Sequence, residues 1–227
     1  MSEVTDRVRL DNSLLPGRMM HLPRDKRGYI VPWFVQWLNS EPVFPAFDPD
    51  KWRLAVKQGR CWVCGGHMGR WMTFVVGPMC TINRVSAEPP SHIECAEYSA
   101  KVCPFLANPN MRRVPHEKVP GGEMIQPGGL MEDRNPGLMA LWRTRKMAIL
   151  PTATGPLVQM GDPSQIDWWY RGRMATPYEI HEGFETGAAV LRRRAVEIDG
   201  EDALPEINRL TARARKLLPP LPPGAPV

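Results

Sequence analysis

Apolar residues recur at helical spacing most clearly towards the C-terminus. Ile180, Phe184, Ala188 and Leu191 follow one another at steps of four and three, which gives one stripe along a helix. Thr176-Pro177-Tyr178-Glu179 stands just before the stripe. A threonine N-cap, a proline at the first helical position and a glutamate three residues on make a capping box. The pattern predicts a helix running to about Ile198 and stopping near Gly200. Leu204, Ile207, Leu210, Ala214 and Leu217 predict a second amphipathic helix over 203–218. A short helix over 51–58 is expected as well, with Asp48 as N-cap and Pro49 in its first turn.

Elsewhere the apolar runs are short and bounded by turn residues, which predicts strands. Tyr29 to Trp37 reads as a mostly buried strand bent at Pro32, entered from a turn at 24–28. In EPVFPAFDPD the aromatics are spaced by prolines, so 41–50 should run extended against the core. GRWMTFVVGPM reads as a strand or hairpin ending at Gly77-Pro78. Leu138 to Leu150, with a basic middle, suits a strand or a short helix, and the turn residues that follow favour a strand. Leu157 to Met160 is its hairpin partner across Gly155-Pro156, and Ile166 to Tyr170 is a third, aromatic strand. Val4, Val8 and Leu10 suit a short strand or a loose arm. The elements together predict an α+β fold, a small mixed or antiparallel sheet with two C-terminal helices.

Composition adds the loops. The chain has 227 residues, 43% of them hydrophobic and 23% charged, enough to bury a core. Its 25 prolines fall largely outside helical patterns, which predicts long ordered loops. The chain divides into an extended N-terminal region (1–58), a cysteine-rich module (59–106), a Pro/Gly-rich loop (107–137), an α+β region (138–218) and a Pro-rich disordered tail (219–227).

The net charge of +5 and isoelectric point near 9.1 permit a polyanion such as DNA or RNA as partner. The charges are mixed along the chain, so a solvated basic surface accounts for them equally well. The N-terminus lacks the apolar core of a signal peptide, and no stretch approaches the ~20 apolar residues of a membrane span. These features predict a cytoplasmic chain with no membrane partner. Five cysteines, an odd number, argue against a disulfide framework and for metal or free thiols.

All five cysteines lie between Cys61 and Cys103. Cys61-x-x-Cys64 allows two thiolates to converge across a tight turn, with Gly65-Gly66 supplying backbone freedom. Pro89-Pro90 discourage an earlier helix start, and Ser91 with Glu94 reads as a second capping box. On that reading His92 is the first helical residue and Cys95 the fourth, so both reach one ion from the same face. The pattern points to zinc, which takes four thiolate and imidazole ligands in a tetrahedron. Buried free thiols would look different, since two closely spaced pairs, one of them phased by a helix start, rarely arise by chance. Cys80, Cys103 and His67 compete as ligands, although each also fits ordinary packing or exposure.

A knuckle, a β-hairpin and a helix whose first turn offers two ligands resemble the treble-clef family of zinc folds. The resemblance covers 59–106 and implies Cys61, Cys64, His92 and Cys95 as ligands of a structural Zn2+. The insertion from Thr81 to Pro90 is longer than in the shortest members. The run GPMCTINR…EPPSHIECAEYSAKVCPF is also similar to proteins of phages and bacterial mobile elements, which implies a coherent fold, and host cytoplasm if the chain is phage-encoded, but no particular activity.

Outside the module, Trp168, Trp169, Arg171 and Arg173 interleave aromatic and basic residues, as do surfaces that stack bases and hold phosphates. Arg143, Arg145 and Lys146 are further candidates for a nucleic-acid surface. The same pattern describes a core strand leaving for a charged turn. His116-Glu117 and His181-Glu182 lack the second histidine of a zinc protease, and no phosphate loop, dinucleotide fingerprint or nucleophile elbow is present. Three roles follow. The first is a structural-zinc protein presenting a basic and aromatic surface to nucleic acid. The second is a regulatory factor that binds a host or phage protein through Pro-rich segments. The third is an enzyme with a site away from the zinc, using Cys80 or the Arg-rich strands.

Overall fold

Every α-helix of the described residues except Ile93–Val102 begins with a proline in its first positions, and two add a side-chain cap. In α1 (Pro49–Gln58) the Asp48 carboxylate accepts from the N–H groups of Asp50 and Lys51, and Gly59 ends the helix at φ 59°. In α5 (Pro177–Asp199) the Thr176–Glu179 capping box forms in both directions. Arg173 grips the Glu179 carboxylate at 2.6 and 2.9 Å and holds its pKa down to about 2. The last helix, α6 (Leu204–Arg215), stops short of the expected Leu218. The computed structural model describes residues 14–108, 112, 137–153 and 155–222. The arm at Val4 to Leu10, most of 107–137 and the end of the tail lie outside them.

Two helices differ from expectation. The strand expected to end at Gly77-Pro78 gives way there to α2 (Pro78–Asn83). Proline suits the first helical position, where its missing N–H costs nothing. The second is α3 (Ile93–Val102), which starts one residue late, with His92 as its N-cap. Ser91 is engaged elsewhere, exchanging backbone hydrogen bonds with Thr73 at 2.8 and 3.0 Å. A short helix, α4 (Pro104–Ala107), follows.

The strands form three small antiparallel sheets. The first is a hairpin of β1 (Val35–Leu38) and β2 (Glu41–Phe47), turned by Asn39 and Ser40 at φ 48° and 63°. The strand expected over 29–37 thus covers only its end, because the turn at Asp25 and Pro32 break the ladder before it. The segment expected to run merely extended is a paired strand. The central sheet has the order β3 (Met72–Val76), β5 (Leu138–Thr144), β8 (Gln165–Tyr170), β9 (Arg173–Met174). The third has the order β4 (Val85–Ser86), β7 (Leu157–Met160), β6 (Met147–Leu150). Leu138 to Leu150 is therefore two strands in two sheets, broken at Arg145-Lys146. The Thr144 hydroxyl donates to Asp162 O at 2.9 Å at this break.

Alternation along β5 separates two cores. Leu138, Ala140 and Trp142 meet Phe74, Trp52, Trp62 and Trp168 on one face. Met139 and Leu141 meet Trp169, and Ala96 and Ala100 of α3, on the other. A third cluster, with Ile82, Phe184, Leu191 and Ala214, joins α2, α5 and α6. A β-carbon at Gly187 would lie 2.4 Å from Cβ of Pro78, so only glycine lets α5 approach α2 this closely.

Candidate metal centre

The knuckle is a tight loop closed by the backbone. Arg60 and His67 form an antiparallel bridge. Within it Cys61 N–H donates to Gly66 O at 2.7 Å and Gly65 N–H to Cys61 O at 2.8 Å. Gly65 sits at φ 73°, and a β-carbon there would meet the Trp33 indole at 2.7 Å. Position and close approach together require glycine. The other pair of donors is tied to the same frame. Trp62 N–H donates to Pro90 O at 3.0 Å, and Ser91 is bridged to β3. The sheet therefore sets the distance between the knuckle and the start of α3.

Cys61, Cys64, His92 and Cys95 converge in the interior, all four buried, with ligand atoms within 4.8 Å of one another. His92 Nδ1 lies 3.3 Å from Cys64 Sγ and 4.0 Å from Cys95 Sγ. Its Nε2 lies 2.9 Å from His67 O. A carbonyl only accepts, so Nε2 carries the proton and the Nδ1 lone pair faces the thiols. Cys61 Sγ accepts from the N–H groups of His92 at 3.3 Å and Cys64 at 3.5 Å. The late start of α3 makes Cys95 its third residue and His92 its cap, yet both still face the knuckle. Glu94, expected to complete a capping box, pairs instead with Arg18 at 2.7 Å.

Hydrogen bonds from Cys64 and Cys95 pull the Cys61 thiol below its ordinary range. The same contact with Cys61 pushes Cys64 and Cys95 up, with burial adding to it, and raises His92. Three buried thiols around one imidazole cannot all ionise without a cation. A metal ion replaces their protons and relieves the repulsion. The donor set thus fits a metal ion.

A satellite core wraps the cluster: Met19, Leu22, Val63, Tyr98 and Val102. Met19 comes from a 3-10 turn, Gly17–Met19. His21 Nε2 lies 3.1 Å from Cys64 O and fastens this N-terminal segment to the knuckle. Sequence spacing does not reveal His21, because its contact is with a backbone carbonyl. His67 belongs here through its carbonyl, not its imidazole, and the cluster does not include Cys80, on α2, or Cys103, at the end of α3.

The expected nucleic-acid residues do not form one surface. Trp168 and Trp169 are only 5% and 6% exposed. They point to opposite faces of β8, each into a core, so neither stacks a base. Arg143, Arg145 and Lys146 lie at one end of the central sheet and Arg171 and Arg173 at the other, since Arg143 pairs with Gln165 and Leu138 with Tyr170. Five residues of strand separate them by about 17 Å. Arg173 is bound to Glu179, and both Arg173 and Arg171 lie against Tyr170. At the other end Arg143 pairs with Asp167 at 3.7 Å, and Arg145 stacks over Trp71 at 4.0 Å. Trp71 is 39% exposed. Arg70, Arg145 and Lys146 are exposed, and no carboxylate among the described residues pairs with them.

Fold and site define a mixed α/β protein with a buried three-cysteine, one-histidine cluster suited to a metal ion. Comparison with protein-family models, curated proteins and solved structures gives no match. No helix among the described residues is long and apolar enough to cross a membrane.

Proposed function

We propose that Cys61, Cys64, His92 and Cys95 hold a structural Zn2+ in a treble-clef-like module, and that this module supports a nucleic-acid-binding surface. The observation that carries the metal reading is the convergence of four buried donors within 4.8 Å. A tetrahedral zinc with three sulfurs and one nitrogen has edges of about 3.5–3.8 Å. The contacts of 3.3 and 4.0 Å from His92 Nδ1 bracket those edges. Three thiolates and an imidazole suit zinc better than a hard cation. Four protein donors fill the sphere, which leaves no position for a substrate. The zinc is therefore a staple. It ties the N-terminal turn, the knuckle and α3 to the central sheet.

The nucleic-acid reading is supported by the net charge of +5 and by the exposed cations at one end of that sheet. Arg70, Arg145 and Lys146 supply three charges for phosphates. Equilibrium binding to DNA and RNA oligonucleotides tests it. The dissociation constant should rise with salt at a log–log slope of about 2 to 3, as expected for three phosphate contacts. No binding to either at low salt contradicts the reading. A second reading, a factor binding a host or partner protein, is favoured by Met174 on the edge strand β9 and Tyr178 in the first turn of α5, each 54% exposed. A partner that co-purifies after nuclease treatment would favour it.

A further inference from the structure

We infer that the end of the central sheet around Trp71 is a binding platform for single-stranded nucleic acid. The inference rests on the nucleic-acid reading above and deepens it. It starts from the faces of the sheet. The register pairs Thr73 with Arg143 and Arg143 with Gln165. Alternation puts Thr73 and Val75 of β3, Met139, Leu141 and Arg143 of β5, and Gln165, Asp167 and Trp169 of β8 on one face. Helix α3 covers part of that face, where Ala96 and Ala100 pack on Met139, Leu141 and Trp169. The bridge between Thr73 and Ser91 marks where this cover begins. Beyond it the face continues to Trp71, Arg145, Arg143 and Gln165 without the helix above it.

Trp71 is the reason to read this stretch as a platform. A tryptophan 39% exposed at a strand end gains little from packing. Here the Arg145 guanidinium lies 4.0 Å from its ring centroid. Indole and guanidinium form a short stack, and both planes accept a further base. Lys146 follows in the turn to β6, and Arg70 precedes Trp71 in the chain. Both are exposed cations placed to meet phosphates beside the stack. Among the described strand residues the one carboxylate on this face, Asp167, is engaged by Arg143. Gln165 accepts from Arg143 at 3.1 Å and donates to Asp167 at 2.7 Å, so these three side chains satisfy one another beside the stack.

The geometry favours single strands over duplex. Stacking on Trp71 or Arg145 requires an unpaired base, and a short flat sheet end does not enter a major groove. Sequence preference should be weak, since every base has a face to stack.

The test compares wild type with Trp71→Ala, Trp71→Phe and Arg209→Gln, using a labelled single-stranded oligonucleotide and its duplex at low salt. Trp71→Ala should weaken single-strand binding at least about fivefold, the least that one lost base–aromatic stack gives. Trp71→Phe, which keeps a ring, should recover most of it. Arg209→Gln removes one charge on α6 and should change binding less than about twofold. Melting temperatures of the variants verify that each is folded. Wild-type binding that Trp71→Ala leaves unchanged, or tighter binding of duplex than of single strand, overturns the platform while leaving nucleic-acid binding in place. Absence of any wild-type binding overturns both.

Discussion

Cys95→Ser should lose stoichiometric metal and unfold at least the region from the N-terminal turn to α3. Cys95 has no exposed surface, and its sulfur faces Cys61, Cys64 and His92. A serine hydroxyl is shorter than a thiolate and does not ionise near neutral pH, so it fails as the fourth ligand. Structural zinc contributes roughly 10–16 kcal/mol of binding free energy in small zinc domains, and that energy appears as folding energy. Domains of this size are stable by only about 5–15 kcal/mol. The satellite core of Met19, Leu22, Val63, Tyr98 and Val102 is built around the cluster and has little else to hold it. Metal analysis of the purified variant and its circular dichroism melt check the expectation. A variant that keeps the wild-type melting temperature would show that the cluster does not bear the fold.

The second large effect lies away from the metal. Trp142 is fully buried in the middle of β5, packed among Phe74, Trp62 and Trp168, and its indole N–H donates to Gly161 O at 3.0 Å. Trp142→Ala should cost about 3–5 kcal/mol from the cavity, with roughly 1 kcal/mol more for the orphaned carbonyl. In a chain of this length that lowers the melting temperature by about 8–24 °C. The variant should still bind one metal ion at low temperature, because Trp142 is not part of the cluster. Thermal melts and metal content together separate a lost core residue from a lost ligand. A change under about 1 kcal/mol would mean that the central sheet is not the main core.

Some of this architecture is written locally and some is not. Asp48, Thr176 and Glu179 act on backbone groups two or three residues away, so the starts of α1 and α5 are legible from sequence alone. The four metal donors are legible for a related reason: each pair is spaced by two intervening residues, close enough for one turn to aim both. The start of α3 is less so. Ser91 and Glu94 carry the signature of a capping box, yet Thr73, far away in the chain, competes for the Ser91 backbone and wins. No local pattern encodes that competition.

The same limit explains the strands. The partner of β3 is β5, across a long segment, and sequence shows only that each run is apolar. Trp168 and Trp169 read as an aromatic–basic surface because Arg171 and Arg173 follow them. Period-two alternation must send neighbouring tryptophans to opposite faces, and at Trp168 and Trp169 both faces of β8 turn out to be covered. Trp71, by contrast, lies just outside β3 and beyond α3, where no helix or strand among the described residues covers it. Its exposure depends on where α3 ends over the sheet, a property of packing alone.

The central claim is a closed, four-ligand zinc that staples the fold. Zinc K-edge X-ray absorption on the native purified chain tests it most directly. The account predicts one zinc per chain, with three sulfurs at about 2.3 Å and one nitrogen at about 2.0 Å. A chain without stoichiometric zinc, or a zinc that keeps an oxygen ligand in place of one of these four, would contradict it.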